Sequence, residues 1–471
     1  MRELEQHDEG ARAMEGGTAD ARAVDAGAAG GGTVGGSVTR GAAGGGTVGG
    51  SVTRGAATDG GAAEDGPPLI RAVRSGDLDR VRILAMGDVE AGVVDEAFRL
   101  AVGDRSGALA QVLLQHGADP SRSAPDGLPS LRTAVDWGLP SLVEALLDSR
   151  ILGRYDRSEL LAARDLAREW HETGAEAGLR ARTGSQEAAV RTRVANDEYD
   201  SLDAYVLAGR TVHDGHAAIL TRLEELLCVG TSFEELTARA VAHDQDHPAW
   251  GSAAILLAHR RDRQTWDAAA ALRAHPEPSH RLFGAEVLRL THLFDDSDED
   301  PFAGPAPDVF IDWSAEEADL DVLTEVLNAL GEHTGPRVEA ALLPFAGHPD
   351  VRIRRMVAHG ISAAFDAPRF SGEVRAALSA LMTDADALVR RGACSTVADA
   401  RERDPALADA MAVLLDDADR RVRVVAVYGL ARHDDERCVA GARRLPPAPP
   451  GTGHEYELDE VWRYERRRDR L

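Results

Sequence analysis

The chain has 471 residues, with 53 basic against 79 acidic side chains and a formal net charge of −26. Such a field repels phosphate backbones and anionic membrane surfaces, so it argues against nucleic-acid or membrane binding and favours a protein partner with a basic surface, or a cation. Apart from histidine, every basic residue is arginine, which removes Schiff-base lysine, lysine-activated nucleophile and P-loop lysine chemistry together.

Residues 1–66 are rich in Gly, Ala, Thr and Glu and nearly free of large apolar side chains. A 14-residue unit at Gly30–Ala43 recurs identically at Gly44–Ala57. Such a segment buries too little surface to offset its ordering entropy and is expected to be disordered. Order is expected from Pro67-Pro68-Leu69 onward. Aromatic residues make up only 4% of the chain, so Ala and Leu must supply the packing, as in small helices stacked closely. No run approaches a membrane span, the start is not signal-like, and the three cysteines form no CxxC pair. These features point to a reducing, cytoplasmic setting.

From Pro67 a pattern repeats with a period near 30 to 33 residues, which predicts a helical solenoid. Ile70–Val73, Arg99–Val102 and Arg132–Val135 correspond. Each is followed by a glycine (Gly76, Gly107, Gly138) expected to turn the chain, then by an apolar helix ending at Leu84, Leu114 or Leu147. Gly117 is expected at the C′ position after the second of these. The Pro-Leu-x-x-Ala start (Pro68, Leu69, Ala72), the Leu-Leu pairs and the Gly117-Ala118-Asp119 finger resemble the ankyrin repeat. The motif's histidine is replaced by Ile70, Arg99 and Arg132. The resemblance spans about 67–150, with Leu160–Ala167 as a capping pair, giving a unit at 67–184. It implies contacts through finger tips and inner helices, here Arg71, Arg74, Asp136 and Trp137.

A bridging segment occupies 185–231, with Leu207-Ala208-Gly209-Arg210 as a hairpin or irregular link, and a helical period from His216 to Cys228. A second repeat type follows at 232–445. His348-Pro349-Asp350, Asp384-Ala385-Asp386 and Asp416–Asp419 each precede a Val-Arg or Ile-Arg helix, and Arg354, Arg390 and Arg423 lie 36 and 33 residues apart. This resembles the short HEAT-type repeat first named from bilin lyases. Weaker copies begin at His247-Pro248 and His275-Pro276, and a further helix pair covers Leu320–Leu330 and Val338–Phe345. The fold class is therefore all-α: ankyrin-like, then HEAT-like repeats. An acidic, proline-bearing insertion is expected near 294–312, and a Pro-rich linker with an Arg-rich tail at 446–471.

The chemistry-bearing clusters have structural readings beside functional ones. The repeated Asp and Arg read as a helix cap and a bridge to the next unit, in preference to a binding ladder. His243 and His247 stand at i and i+4, a spacing able to hold zinc, but Pro248 favours a polar turn. His213-Asp214-Gly215-His216 reads as a turn with an N-cap. Asp295–Asp300 lacks the Gly and Glu of an EF-hand loop. Cys438 with His433 matches no nucleophile signature. In the tail, Trp462, Arg466, Arg467 and Arg468 can grip an acidic surface, including the chain's own, or cap the last repeat. No catalytic residue and no cofactor is assigned. The expectation is a non-catalytic scaffold or adaptor, with a lyase-type enzyme or accessory subunit, or a metal-responsive regulator, as alternatives.

Overall fold

The computed structural model describes residues 66–122, 128–197, 199–294, 300–361, 370–401, 403–448 and 456–469. The expected disorder of 1–66 lies outside these residues apart from Gly66, as does the acidic run 295–299. Twenty-three α-helices and three strands occur among the described residues. None of the helices is long and apolar enough to cross a membrane.

The first helices come in short antiparallel pairs: α1 (Pro68–Ser75) with α2 (Leu78–Ala85), α3 (Ala91–Gly103) with α4 (Gly107–Gln115), and α5 (Leu131–Trp137) with α6 (Pro140–Leu146). Each pair turns on a residue in the left-handed region: Gly76 (φ 70°), Arg105 (φ 60°) and Gly138 (φ 69°). In the second pair the turning residue is therefore Arg105, not the glycine expected from the sequence. Gly107 instead opens α4, where a Cβ would stand 1.7 Å from the Ser141 hydroxyl, so it is small because two helices meet there. Gly117 does end α4 as expected, with φ 94° and the Ala118 amide donating to the Leu113 carbonyl at 2.9 Å.

A longer helix, α7 (Arg157–Thr173), opens on a capping box built by Asp156 and Glu159, and α8 (Ala175–Thr183) follows it. The bridging segment then forms a small antiparallel sheet in the order β1 (Val190–Ala195), β2 (Ser201–Leu207), β3 (Arg210–His213). Ala208 (φ 50°) and Gly209 (φ 75°) make the two-residue β2–β3 turn, the geometry that suits the twist of paired strands. The hairpin reading of Leu207–Arg210 is met, and β1 is a third strand with no signal beyond alternation.

Beyond the sheet come α9 (His216–Leu226), α10 (Phe233–Val241), α11 (Pro248–Arg260), α12 (Arg263–Ala271), α13 (Pro278–Leu293), α14 (Ala306–Glu316), α15 (Leu320–Gly331), α16 (Pro336–Leu342), α17 (Val351–Gly360), α18 (Gly372–Leu381), α19 (Ala387–Asp399), α20 (Pro405–Val413), α21 (Arg420–Arg432), α22 (Arg437–Arg444) and α23 (Tyr456–Arg468). The odd-numbered helices from α5 to α23 pack each on the next in one continuous row. The helix α14 takes up the second half of the stretch read as an inserted loop. Pro305 precedes it and Pro307 lies in its first turn, where a missing amide costs nothing.

Two hydrophobic cores run along this row. One gathers Leu69 through Leu179 with Leu202, Leu207, Val212 and the Ile219, Leu220 and Leu223 side chains of α9. The other begins at Leu236 and extends to Tyr464. Leucine and alanine make up more than half of each core, and the small alanines let the helices approach closely.

Candidate functional site: the polar seam and the cap ladder

Polar side chains fill the seam between the two cores. Glu224 on α9 and Arg239 on α10 are each 1% exposed and pair at 2.7 Å. Thr221 and Thr231 hydrogen-bond to the same pair, and Arg168 on α7 reaches Glu224 from the first core. Burial pushes the Glu224 carboxyl up, but the Arg239 and Thr231 hydrogen bonds outweigh it and hold the pKa low.

The end of β3, the turn after it and the start of α9 supply His213, Asp214 and His216. The His213 Nδ1 lies 2.9 Å from the Trp137 carbonyl, and the His216 Nε2 lies 3.0 Å from that of Val135. His216 stacks on Trp170 with ring centroids 5.0 Å apart. Burial pushes its pKa down to about 3, so the ring is neutral at physiological pH.

Asp214, His243 and His247 bring one ligand atom each within 4.8 Å of one another, the one such group among the described residues. Asp214 is thus a neighbour that the i, i+4 spacing of the histidines could not reveal. The geometry is nonetheless that of a hydrogen-bonded cap. The Ala249 amide donates to the His247 Nδ1 at 3.1 Å, which leaves the ring proton on Nε2, and Nε2 donates to the Asp214 Oδ1 at 3.1 Å. A metal ligand has the opposite arrangement, with its second nitrogen donating outward. The His243 and His247 rings also stack in parallel, 3.7 Å apart at 8°, so their in-plane lone pairs do not converge on one point. Burial, then the neighbouring His247, pushes His243 down to about 4.

The bond His247 makes, a side chain accepting from the amide two residues on, recurs down the row just ahead of the helix N-caps Glu277, Asp319, Asp350, Asp386 and Asp419. His275 Nδ1 accepts from the Glu277 amide and His348 Nδ1 from the Asp350 amide. In other units a carboxylate takes the same part: Glu317 toward Asp319, Asp384 toward Asp386, Asp417 toward Asp419. Six residues after each such acceptor and four after the N-cap, Arg281, Arg354, Arg390 and Arg423 donate to carbonyls of their own turn. Three of these also reach the next unit, Arg281 to Glu317, Arg354 to Asp384 and Arg390 to Asp417, each through two nitrogens. The cap reading thus holds at Asp350, Asp386 and Asp419 and the bridge reading at Arg354 and Arg390, whereas Arg423 bonds within its own turn.

The residues expected to contact a partner fall in two places. Arg71 and Arg74 are exposed on α1, with Arg71 donating to the Gly66 carbonyl at 2.7 Å. Asp136 accepts from the Trp170 indole at 3.1 Å and pairs with Arg182, so it ties α5 to α7 and α8. Trp137 is half-buried beneath the Arg105 guanidinium, 4.0 Å from its ring. In the tail helix α23, Val461 and Tyr464 are buried. Arg467 grips Glu460, Asp434 and the Ala431 carbonyl, Arg468 pairs with Glu436, and Trp462 faces out beneath Arg466. Cys394 and Cys438 are fully buried, and burial pushes the Cys438 thiol up to about 11, away from nucleophilic use.

No protein-family model matches the chain, and no curated protein matches it. Among solved structures, it is similar to YibA of Escherichia coli at 17% identity, with a TM-score of 0.36, over 46% of this chain and 77% of that one. A likeness at this level adds nothing to the argument, and the helical-repeat architecture stands on the packing of this chain's own helices.

Proposed function

We propose that the chain is a non-catalytic protein-interaction scaffold, with ankyrin-like pairs at 67–184, a bridge at 185–231 and HEAT-like units at 232–445. The left-handed turns at Gly76, Arg105 and Gly138 support the first assignment, and the arginine-to-carboxylate ladder supports the second. The observation that carries the scaffold reading is the first-helix surface, where Arg71 and Arg74 stand exposed and Trp137 shares its outer face with Arg105. Arg and Trp are the side chains that most often anchor interfaces. The net charge of −26 favours a partner with a basic surface elsewhere on the chain.

Native mass spectrometry of the protein isolated from its own cytoplasm, with residues 1–66 present and removed, tests this reading. A defined protein at fixed stoichiometry, lost on replacing Arg74 and Trp137 by alanine, is the expected result. A lone chain carrying a small molecule would favour the enzyme alternative.

A further inference from the structure

The sheet ends on an open edge. In the order β1-β2-β3, the strand β1 pairs with β2 from Val190↔Val206 to Ala195↔Ser201 and is exposed at every position except Val194, which is half-buried. Among the described residues, no backbone hydrogen bond outside the β1–β2 ladder engages residues 190–195. Half of the peptide groups of an edge strand point away from its neighbour, so this edge offers a ready ladder of donors and acceptors.

The side chains on the edge are patterned. Val190, Thr192 and Val194 share one face, and Val190 with its partner Val206 leaves an apolar step 63% and 36% exposed. Arg191, Arg193 and Ala195 share the other. Arg191 leans on Asp203 and Arg193 on Asp244, yet their side chains stay 65% and 37% exposed. Arg191 gives two nitrogens to Asp203 and Arg193 one to Asp244, and a guanidinium with five N–H donors keeps exposed ones for a second carboxylate.

We propose that β1 is a docking edge for an extended segment of a partner protein that alternates apolar and acidic residues. This rests on the scaffold reading and names one of its surfaces. The segment adds a fourth strand, its apolar side chains flanking Val190 and continuing the apolar step that Val190 shares with Val206, and its carboxylates facing Arg191 and Arg193. A second copy of this chain is the poorer occupant. A two-fold pairing of β1 with itself keeps each face on its own side, so either register of greatest overlap, centred on Thr192 or Arg193, sets arginine opposite arginine. Like charges directly opposite destabilise a strand pair, and two bodies of charge −26 repel besides.

The test uses the full chain and a short capped peptide alternating valine and glutamate, followed by calorimetry and amide hydrogen exchange. The expected result is binding with slowed exchange at residues 190–195. Methylating alternate peptide nitrogens of the probe should abolish it, and Arg191→Glu with Arg193→Glu should weaken it about tenfold. Because the arginine variant also loses its ties to Asp203 and Asp244, the methylated probe, which leaves the protein untouched, is the deciding control. No binding, equal binding by the methylated probe, or equal binding by a valine–arginine peptide overturns the proposal. If the peptide fails while a co-purifying protein still depends on Arg74 and Trp137, the edge proposal falls and the scaffold reading stands. If the peptide binds while no protein co-purifies, the edge stands and the scaffold reading falls.

Discussion

Arg239 and Glu224 show how much a single charge can cost when it is buried. Both are 1% exposed, and the pair is satisfied chiefly by itself, Thr221, Thr231 and Glu235. Replacing Arg239 by alanine leaves the buried Glu224 carboxylate with Arg168 and Thr231 as its remaining partners, and urea denaturation should show a loss of about 3 kcal/mol. A double variant, Arg239→Met with Glu224→Leu, should recover most of that loss; if it is as unstable as the single change, the charge is not what the site depends on. The buried histidines set an acid limit. His216 and His243 have native pKa values of about 3 and about 4, below the ordinary value of 6.5, so the unfolded chain binds protons first as pH falls. Their contribution is complete above about pH 6.5 and is lost progressively below it. At pH 5 each should cost about 2 kcal/mol, and a melting temperature no lower at pH 5 than at pH 7.5 would contradict this. Zinc titrated into the full chain should give no stoichiometric heat, because His247 presents a protonated Nε2 and its ring lies parallel to that of His243. Little at this scale was legible in advance. The i, i+4 histidines were visible, but Asp214 comes from the turn after β3, 33 residues before His247, and no local pattern encodes that meeting.

Individual helices were far easier to read, because caps and apolar periods act within a few residues of one another. Asp350, Asp386 and Asp419 cap α17, α19 and α21 as their positions implied. The second unit's turn was misread because a glycine two residues further on looked like the natural hinge, while Arg105 takes φ 60° and lays its side chain on Trp137. The β2–β3 hairpin was legible, but β1 escaped because it is only six residues long and has no turn signature of its own. Between elements, the ladder makes a graded prediction. Arg390 spans its own turn and Asp417, whereas Arg423 bonds to its own turn carbonyls. Arg390→Ala should cost about 2 kcal/mol by thermal or chemical denaturation, and more than Arg423→Ala; equal losses would mean that the inter-unit bond contributes nothing. At α15 and α17 the contact is made by backbone instead. A Cβ on Gly331 would lie 2.7 Å from the Gly360 Cα, so Gly331→Ala must push the two helices apart. Its expected cost is about 1–3 kcal/mol, and an unchanged stability would show that the helices do not meet there.

Across the whole molecule, the two cores share one helical row but little apolar contact at the seam, where ion pairs and neutral histidines replace it. Stability in such a stack is a sum of units and their neighbours' interfaces, and a polar interface couples them less than an apolar one. Denaturation should therefore proceed in two stages. Trp170 reports on the first core and Trp250 on the second, so variants retaining one or the other can follow each stage separately. Coincident midpoints for both reporters would show that the seam transmits cooperativity in full. The repeat architecture was legible from spacing alone, whereas the seam was not, since it depends on which faces of α7, α9 and α10 meet.

The ladder also gives the units a fixed reading order. Arginine six residues after the turn acceptor occurs at 281, 354, 390 and 423, and for the first three the next unit's acceptor is a carboxylate; at Ala253 and Leu323, where it is missing, the next acceptor is His275 or His348. Each unit thus carries an outgoing end and an incoming end that must agree. Excising the unit whose acceptor is Asp384 would join Arg354 to Asp417 and preserve the agreement. Excising the one whose acceptor is Glu317 would join Arg281 to His348 and set a guanidinium against an imidazole. Lengthening or shortening this chain by whole units, in a gene or at the bench, is therefore constrained less by their number than by which neighbours the cut leaves side by side.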